Sequence, residues 1–269
     1  MEIRSHVRVL VNSVLIACVL VPGAVSAAPS FAGPDSVAKY HPLCLETLRN
    51  WEQDGGALDM QQCADGQREI AVTKTSQGAY FAARKNSAGY MAYKPIGSLD
   101  NAMDLLLVYD KQQSTPVTSI YFVGRIAGTE FTRDFLTTIE DGGDRCFGGV
   151  DDARLISESK LEVDINATVN QILTFTSDAT TSSLDTISFK PDNYQAYACA
   201  GVITKTYDLL TSEVQYTKVR FTRDDSRKVI DQSSRCYDKL VAEHLTPPRV
   251  LDMHQYGEFV TLYKQQCGI

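Results

Sequence analysis

The stretch GGDRCFGGVDDARL, Gly142 to Leu155, sets Asp144, Asp151, Asp152 and Cys146 among two glycine pairs, with Glu140 and Asp141 just upstream. Four chemistries would use such residues. Two carboxylates held about 5 to 10 Å apart can hydrolyse a glycosidic bond. Acids spaced by glycine can bind calcium, a thiol beside Arg145 can be a nucleophile, and a glycine-rich turn can cradle phosphate. A second constellation is His254, which lies between Asp252 and Glu258 in LDMHQYGE and could pair with a carboxylate.

Most of these templates fail on residue order. A phosphate loop needs a lysine and a hydroxyl after its last glycine, whereas Gly149 is followed by Val150, Asp151 and Asp152, which repel phosphate. The glycine pairs recur at too short a spacing for the calcium-binding glycine-aspartate repeat, and no closing Glu stands where a calcium loop requires one. Neither the Gly-x-Ser-x-Gly elbow of hydrolases nor the His-Glu-x-x-His pair of zinc proteases occurs. His41, before Pro42, and His244, near a helix end, have structural roles available to them. No catalytic residue, metal ligand or cofactor is therefore assigned, and the expectation leans against an enzyme.

The fate of the cysteines depends on where the chain works. Residues 1–27 join Arg4 and Arg8 to an apolar run from Val9 to Val21, a Pro22-Gly23 break and small residues before Ala28. That is the three-part pattern of a secretory signal peptide, too short to span a bilayer, which takes about 20 apolar residues. The alternative is a lipoprotein signal with Cys18 of LIAC as the anchored residue, opposed by the apolar run continuing through Val21. Both readings place the chain in the periplasm or outside the cell. Six cysteines remain in an oxidising compartment, where pairing is the default. Sequential bonds, Cys44 with Cys63, Cys146 with Cys199 and Cys236 with Cys267, each close a local element. Cys146 then ceases to be a reactive thiol.

Charge narrows the partners. The formal charge is −7, and loss of Glu2, Arg4 and Arg8 with the leader would make it −8. An acidic chain suits neither nucleic acid nor an anionic membrane surface, and it suits a basic protein partner. After processing, no transmembrane segment is expected.

Three regions follow the leader. Residues 28–66 carry a helical pattern, with Leu43, Thr47, Leu48 and Trp51 on one face and a second short helix from Ala57 to Ala64. In residues 67–224 the period switches to two. REIAVTKTS, GAYFAARKN, AGYMAYKP, MDLLLVYDK, VTSIYFVGRIAG, ARLISES, KLEVDIN, AYACAGVITKTYDL and EVQYTKVRFTRD read as strands, and ATVNQILTF reads as a helical crossing. DATTSSLD, Asp178 to Asp185, reads as a polar loop. Residues 225–269 return to the helical period in two helices separated by Pro247-Pro248. The predicted fold is α+β: a predominantly antiparallel β body with disulfide-clipped helical segments at both ends, forming one compact domain or two. GYMAYKPIGSLDNAMDLLLVYD and SKLEVDINATVNQILTFTSD share the order strand, polar break, apolar run, a faint sign of duplication. The glycine pairs of the opening stretch read as a turn and a bulge that lead the chain into a new strand.

A leader, six cysteines, an acidic β body and helical ends are together broadly similar to bacterial envelope proteins that bind other proteins, including inhibitors and immunity proteins; the likeness is one of composition. The expected function is that of a binder neutralising a lytic or toxic enzyme, with an envelope hydrolase using Asp/Glu or His-carboxylate pairs as the alternative. The candidate binding residues are Asp144, Asp151, Asp152, Tyr90 and Tyr93, with Tyr80 and Tyr121 as further aromatic candidates, because tyrosines are favoured at interfaces.

Overall fold

The computed structural model describes residues 38–49, 63–64, 70–75, 78–99, 103–111, 116–127, 132–144, 146–175, 199–222 and 232–267. The leader, the loop from Asp178 to Asp185 and all but Cys63 and Ala64 of the second predicted helix lie outside them; those two residues are helical.

Two antiparallel sheets carry the fold. Sheet A is a six-stranded meander of β1 (Ala71–Thr75), β2 (Gly78–Arg84), β3 (Tyr90–Leu99), β4 (Met103–Lys111), β5 (Pro116–Ala127) and β6 (Thr132–Asp144). Sheet B holds β7 (Val150–Leu155), β8 (Lys160–Ala167), β9 (Gly201–Asp208), β10 (Glu213–Phe221) and β11 (Val250–Asp252) in the order β11-β10-β9-β8-β7. The helices with described bounds are α1 (Pro42–Arg49), α2 (Val169–Thr174), α3 (Gln232–His244) and α4 (Met253–Cys267). No described helix is long and apolar enough to cross a membrane.

The alternation of β4 explains the layering. Leu105 and Leu107 point toward sheet B and pack with Ile120, Val150, Leu161, Val163 and Ile165. Leu106 and Val108 point the other way and pack with Phe81, Met91, Tyr93 and the α1 residues Cys44, Leu45 and Leu48. A strand buried on both faces reads as the continuous apolar run that MDLLLVYDK shows. Sheet B uses one face twice: its β7–β8 side lies against sheet A, and further along the same face Ile203, Val219 and Phe221 meet Tyr237, Leu240, Tyr256 and Phe259 of α3 and α4. The opposite face of sheet B carries a charged lattice.

Disulfides join all three predicted pairs, Cys44–Cys63, Cys146–Cys199 and Cys236–Cys267. The last clips α3 to α4. The crossing read from ATVNQILTF is α2, opened by a capping box in which Thr168 and Gln171 bond each other's backbone. The two segments that resembled each other in order do not fold alike, since one is the β3–β4 hairpin and the other is β8 followed by α2. β6 was not expected: TRDFLTTIEDGGD has charges and a glycine pair where alternation should continue, because two register shifts against β5 interrupt its pleat.

Gly257 offers a simple stability test. It lies inside α4, and a Cβ added there would meet nothing within 4 Å. Gly257→Ala should raise stability by about 0.5 to 1 kcal/mol, read as a higher urea midpoint at unchanged slope.

Candidate functional site

The Gly142–Leu155 stretch is the stitch between the two sheets. Asp141 and Gly142 bulge opposite Ser119, whose hydroxyl donates to the Asp141 carbonyl at 2.7 Å. The chain then turns, with Phe147 N–H donating to the Asp144 carbonyl, and enters sheet B where Gly148 N–H donates to Asn166 O and Asn166 N–H to Gly149 O. Val150 N–H donates to the Thr118 hydroxyl at 2.6 Å, tying the first residue of sheet B to β5 of sheet A. Cys146 fixes the turn to Cys199, just before β9.

Its acids do not converge on one point. Asp152 takes Lys94 of β3 at 2.8 Å, with Arg154 at 4.0 Å. Asp151 takes Arg220 of β10 at 3.5 Å and the Asn166 side-chain amide at 3.4 Å. Asp144 closes the turn through its backbone, and its Oδ1 is buried without a hydrogen-bond partner among the described residues. Glu140 belongs to a different cluster. Its carboxylate accepts from Lys205 Nζ at 2.8 Å, from the Tyr207 hydroxyl and from Gly142 N–H, in the seam between sheet A and β9. Lys205 Nζ also stands 5.7 Å from the centre of the Tyr216 ring.

The same pattern holds elsewhere. Asp104 and Asp110 sit at the two ends of the β4 face that meets α1. Asp104 accepts from the Tyr40 hydroxyl, from Ser98 Oγ and from Lys39, while Asp110 shares Lys85 with Glu46 of α1 at 2.8 and 2.7 Å. These pairs lock the first helix onto sheet A. On the outer face of sheet B, Arg154 spans Glu162 and Asp164, Lys218 approaches Glu162 at 3.3 Å and Thr204 donates to Asp164 at 2.7 Å. Carboxylates already neutralised by fixed cations are poor general acids or bases and good registry devices.

No known protein family, curated protein or solved structure matches this chain.

The aromatic candidates divide. Tyr93 is fully buried, its hydroxyl accepting from Tyr40 N–H at 3.1 Å and donating to the Tyr40 carbonyl at 3.0 Å, so it holds the chain before α1 and presents nothing to a partner. Tyr121 is buried in the same cluster. Tyr90 is half-buried with Lys111 over its ring, and Tyr80 shares a hydroxyl hydrogen bond of 2.8 Å with Tyr109. His254 is exposed in the first turn of α4, along an open groove it shares with Met253, Gly257 and Leu262. Asp252, its supposed partner, caps that helix instead: it accepts from Gln255 N–H at 2.8 Å and its own N–H donates to the Gln255 side chain at 3.2 Å. Among the described residues no three His, Cys, Asp or Glu side chains gather as a metal-binding group.

The residues missed by the sequence reading are the cations, Lys94, Lys205, Lys85, Arg154 and Arg220. Arg154 and Glu162 stand directly opposite each other on β7 and β8, and the period-two alternation of ARLISES and KLEVDIN already contains that pair. Lys205 and Glu140 are 65 residues apart and had no such local signal.

Burial pushes the Tyr93 phenol up to about 12, against the pull of its hydrogen bonds to the Tyr40 and Lys39 backbone. The folded protein keeps this proton where an unfolded tyrosine, titrating near 10.0, has lost it. Its contribution is complete below pH 10 and is lost as pH rises from there toward 12. Tyr93→Phe should cost about 1 kcal/mol at neutral pH and reduce the alkaline decline by about 1.4 kcal/mol per pH unit above 10, read from urea unfolding between pH 7 and 11. An unchanged slope would contradict this role.

Proposed function

We propose that the chain is an exported bacterial envelope protein, periplasmic or secreted, that acts by binding another protein. The reading is that of an inhibitor or immunity-type factor which holds a lytic or toxic enzyme of the envelope in check. Lipid anchoring through Cys18 would place the same body at a membrane surface.

The observation that carries this reading is where the acids are spent. Asp104, Asp110, Glu140, Asp151, Asp152, Glu162 and Asp164 are each engaged by a cation of the protein, most of them bridging separate strands or layers. Acid–base chemistry needs a group whose proton is at a substrate's disposal. Structural pairing of these carboxylates directs attention to the surface. Three disulfides support the same reading, because a surface fixed before association loses little entropy on binding. Net acidity would steer association toward a basic partner.

The test is retrieval followed by reconstitution. The oxidised chain immobilised in envelope extract should retain one protein, and the two purified components should form a one-to-one complex by light scattering. Hydrolysis of an envelope substrate by the chain alone, abolished by Asp151→Ala or His254→Ala, would overturn the proposal in favour of an enzyme.

A further inference from the structure

Sheet B ends in two turns that touch. Residues 156–159 join β7 to β8 and residues 209–212 join β9 to β10, and the antiparallel order places both at one end of the sheet. Leu209 N–H donates to the Ser159 carbonyl at 2.7 Å, so the turns form one tip. Three apolar side chains of this tip meet solvent. Ile156 is 52% exposed, Leu210 83% and Val214, at the start of β10, 40%. Leu210 is the most exposed large hydrophobic side chain among the described residues.

The tip is built to keep Leu210 outside. Asp208 accepts from Leu210 N–H at 3.0 Å and from Thr211 N–H at 3.2 Å, and Thr211 Oγ1 accepts from Glu213 N–H. Ser212 stands at φ 60°, a conformation in which a serine is strained. The side-chain bonds hold the turn, with Leu210 out in solvent, against the cost of the Ser212 backbone. Strain of this kind is concentrated where a protein meets its ligands. The rim is acidic: the two turns and the strand ends beside them carry Glu158, Asp208 and Glu213 against Lys160, which stands opposite Asp208 on β8. The two backbone bonds hold the Asp208 carboxyl below the usual range, so it is charged at neutral pH.

From these features we infer that the tip of sheet B is the docking end of the molecule, that Leu210 is its anchoring side chain, and that the occupant is a basic protein with an apolar socket. The inference rests on the binding function proposed above. An apolar centre within a charged rim is the common anatomy of a protein interface. The acidic rim complements lysines and arginines around the socket and repels the anionic headgroups of a bacterial membrane.

A photoreactive residue at Leu210, at Ile156 and, as a control on α3, at Lys239 tests the assignment in the cells that make the chain. Positions 210 and 156 should yield one shared adduct with a basic protein, and position 239 none. With that protein purified, Leu210→Asp should raise the dissociation constant about 30-fold or more and Ile156→Ser about tenfold, with unchanged thermal midpoints. Added salt should weaken the wild-type complex. A one-to-one complex that Leu210→Asp leaves unchanged would overturn the docking tip while the binding function stands. Adducts at 210 with lipid or with a second copy of the chain, or binding to phosphatidylcholine vesicles lost in Leu210→Asp, would also overturn it. No adduct at any position and no complex from the extract would overturn both.

Discussion

Gly142→Ala should cost about 5 kcal/mol or prevent folding, whereas Gly148→Ala, six residues on, should cost about 1 kcal/mol. Both glycines lie in the left-handed region, at φ +64° and +79°. Their surroundings differ. A Cβ at Gly142 would stand 1.7 Å from the Thr118 carbonyl oxygen, a backbone atom of β5 that cannot turn aside. A Cβ at Gly148 would meet its nearest neighbour at 3.4 Å, an ordinary contact. Relieving the first clash means parting β5 from β6 where Val150 N–H reaches the Thr118 hydroxyl. The stitch between the sheets and the approach of Cys146 to Cys199 would be disturbed together. Urea unfolding at matched slope separates the two variants, and equal costs would contradict this account of the turn.

Glu140→Ala should cost about 3 to 5 kcal/mol, because it leaves Lys205, 8% exposed, without its carboxylate. Tyr207 loses its acceptor in the same step, and Gly142 N–H the carboxylate it donates to. Burial, with Glu140 beside it, already holds the Tyr207 phenol protonated far above the ordinary tyrosine range. An apolar replacement of the whole group, Glu140→Leu with Lys205→Met and Tyr207→Phe, should recover most of the loss, since removal of both charges leaves none stranded. The surface pair Lys239–Glu243, with side chains 70% and 51% exposed, is the control. Glu243→Ala should cost less than about 0.5 kcal/mol. A similar cost for both glutamates would mean that Glu140 does not hold the seam.

Periodicity made the fold largely legible. Continuous apolar runs announced β4 and β5, alternation announced β8, and ATVNQILTF between strands announced α2. Export logic with parity led to the disulfides. β6 was hidden because its bulges break the period, and β11 because three residues are too few to show one. The site was less legible. Asp151 and Asp152 stand in one acid cluster in the sequence, yet each is bound by a cation from a different strand, Arg220 or Lys94. Such partners are set by sheet order, which a single strand does not encode. Tyr93 looked like a contact residue because alternation cannot say which face of β3 a helix will cover. Leu210 falls between two predicted strands with no signal of its own, and only the Asp208 turn makes it a tip.

Binding in place of catalysis is the central claim, and one titration tests it most directly. The chain with its three disulfides intact is titrated into the purified envelope protein it retrieves, while that protein's lytic or toxic activity is followed. The expected result is saturation at one equivalent with the activity extinguished. Activity that persists through a saturated complex, or substrate turnover by the chain itself, would contradict it.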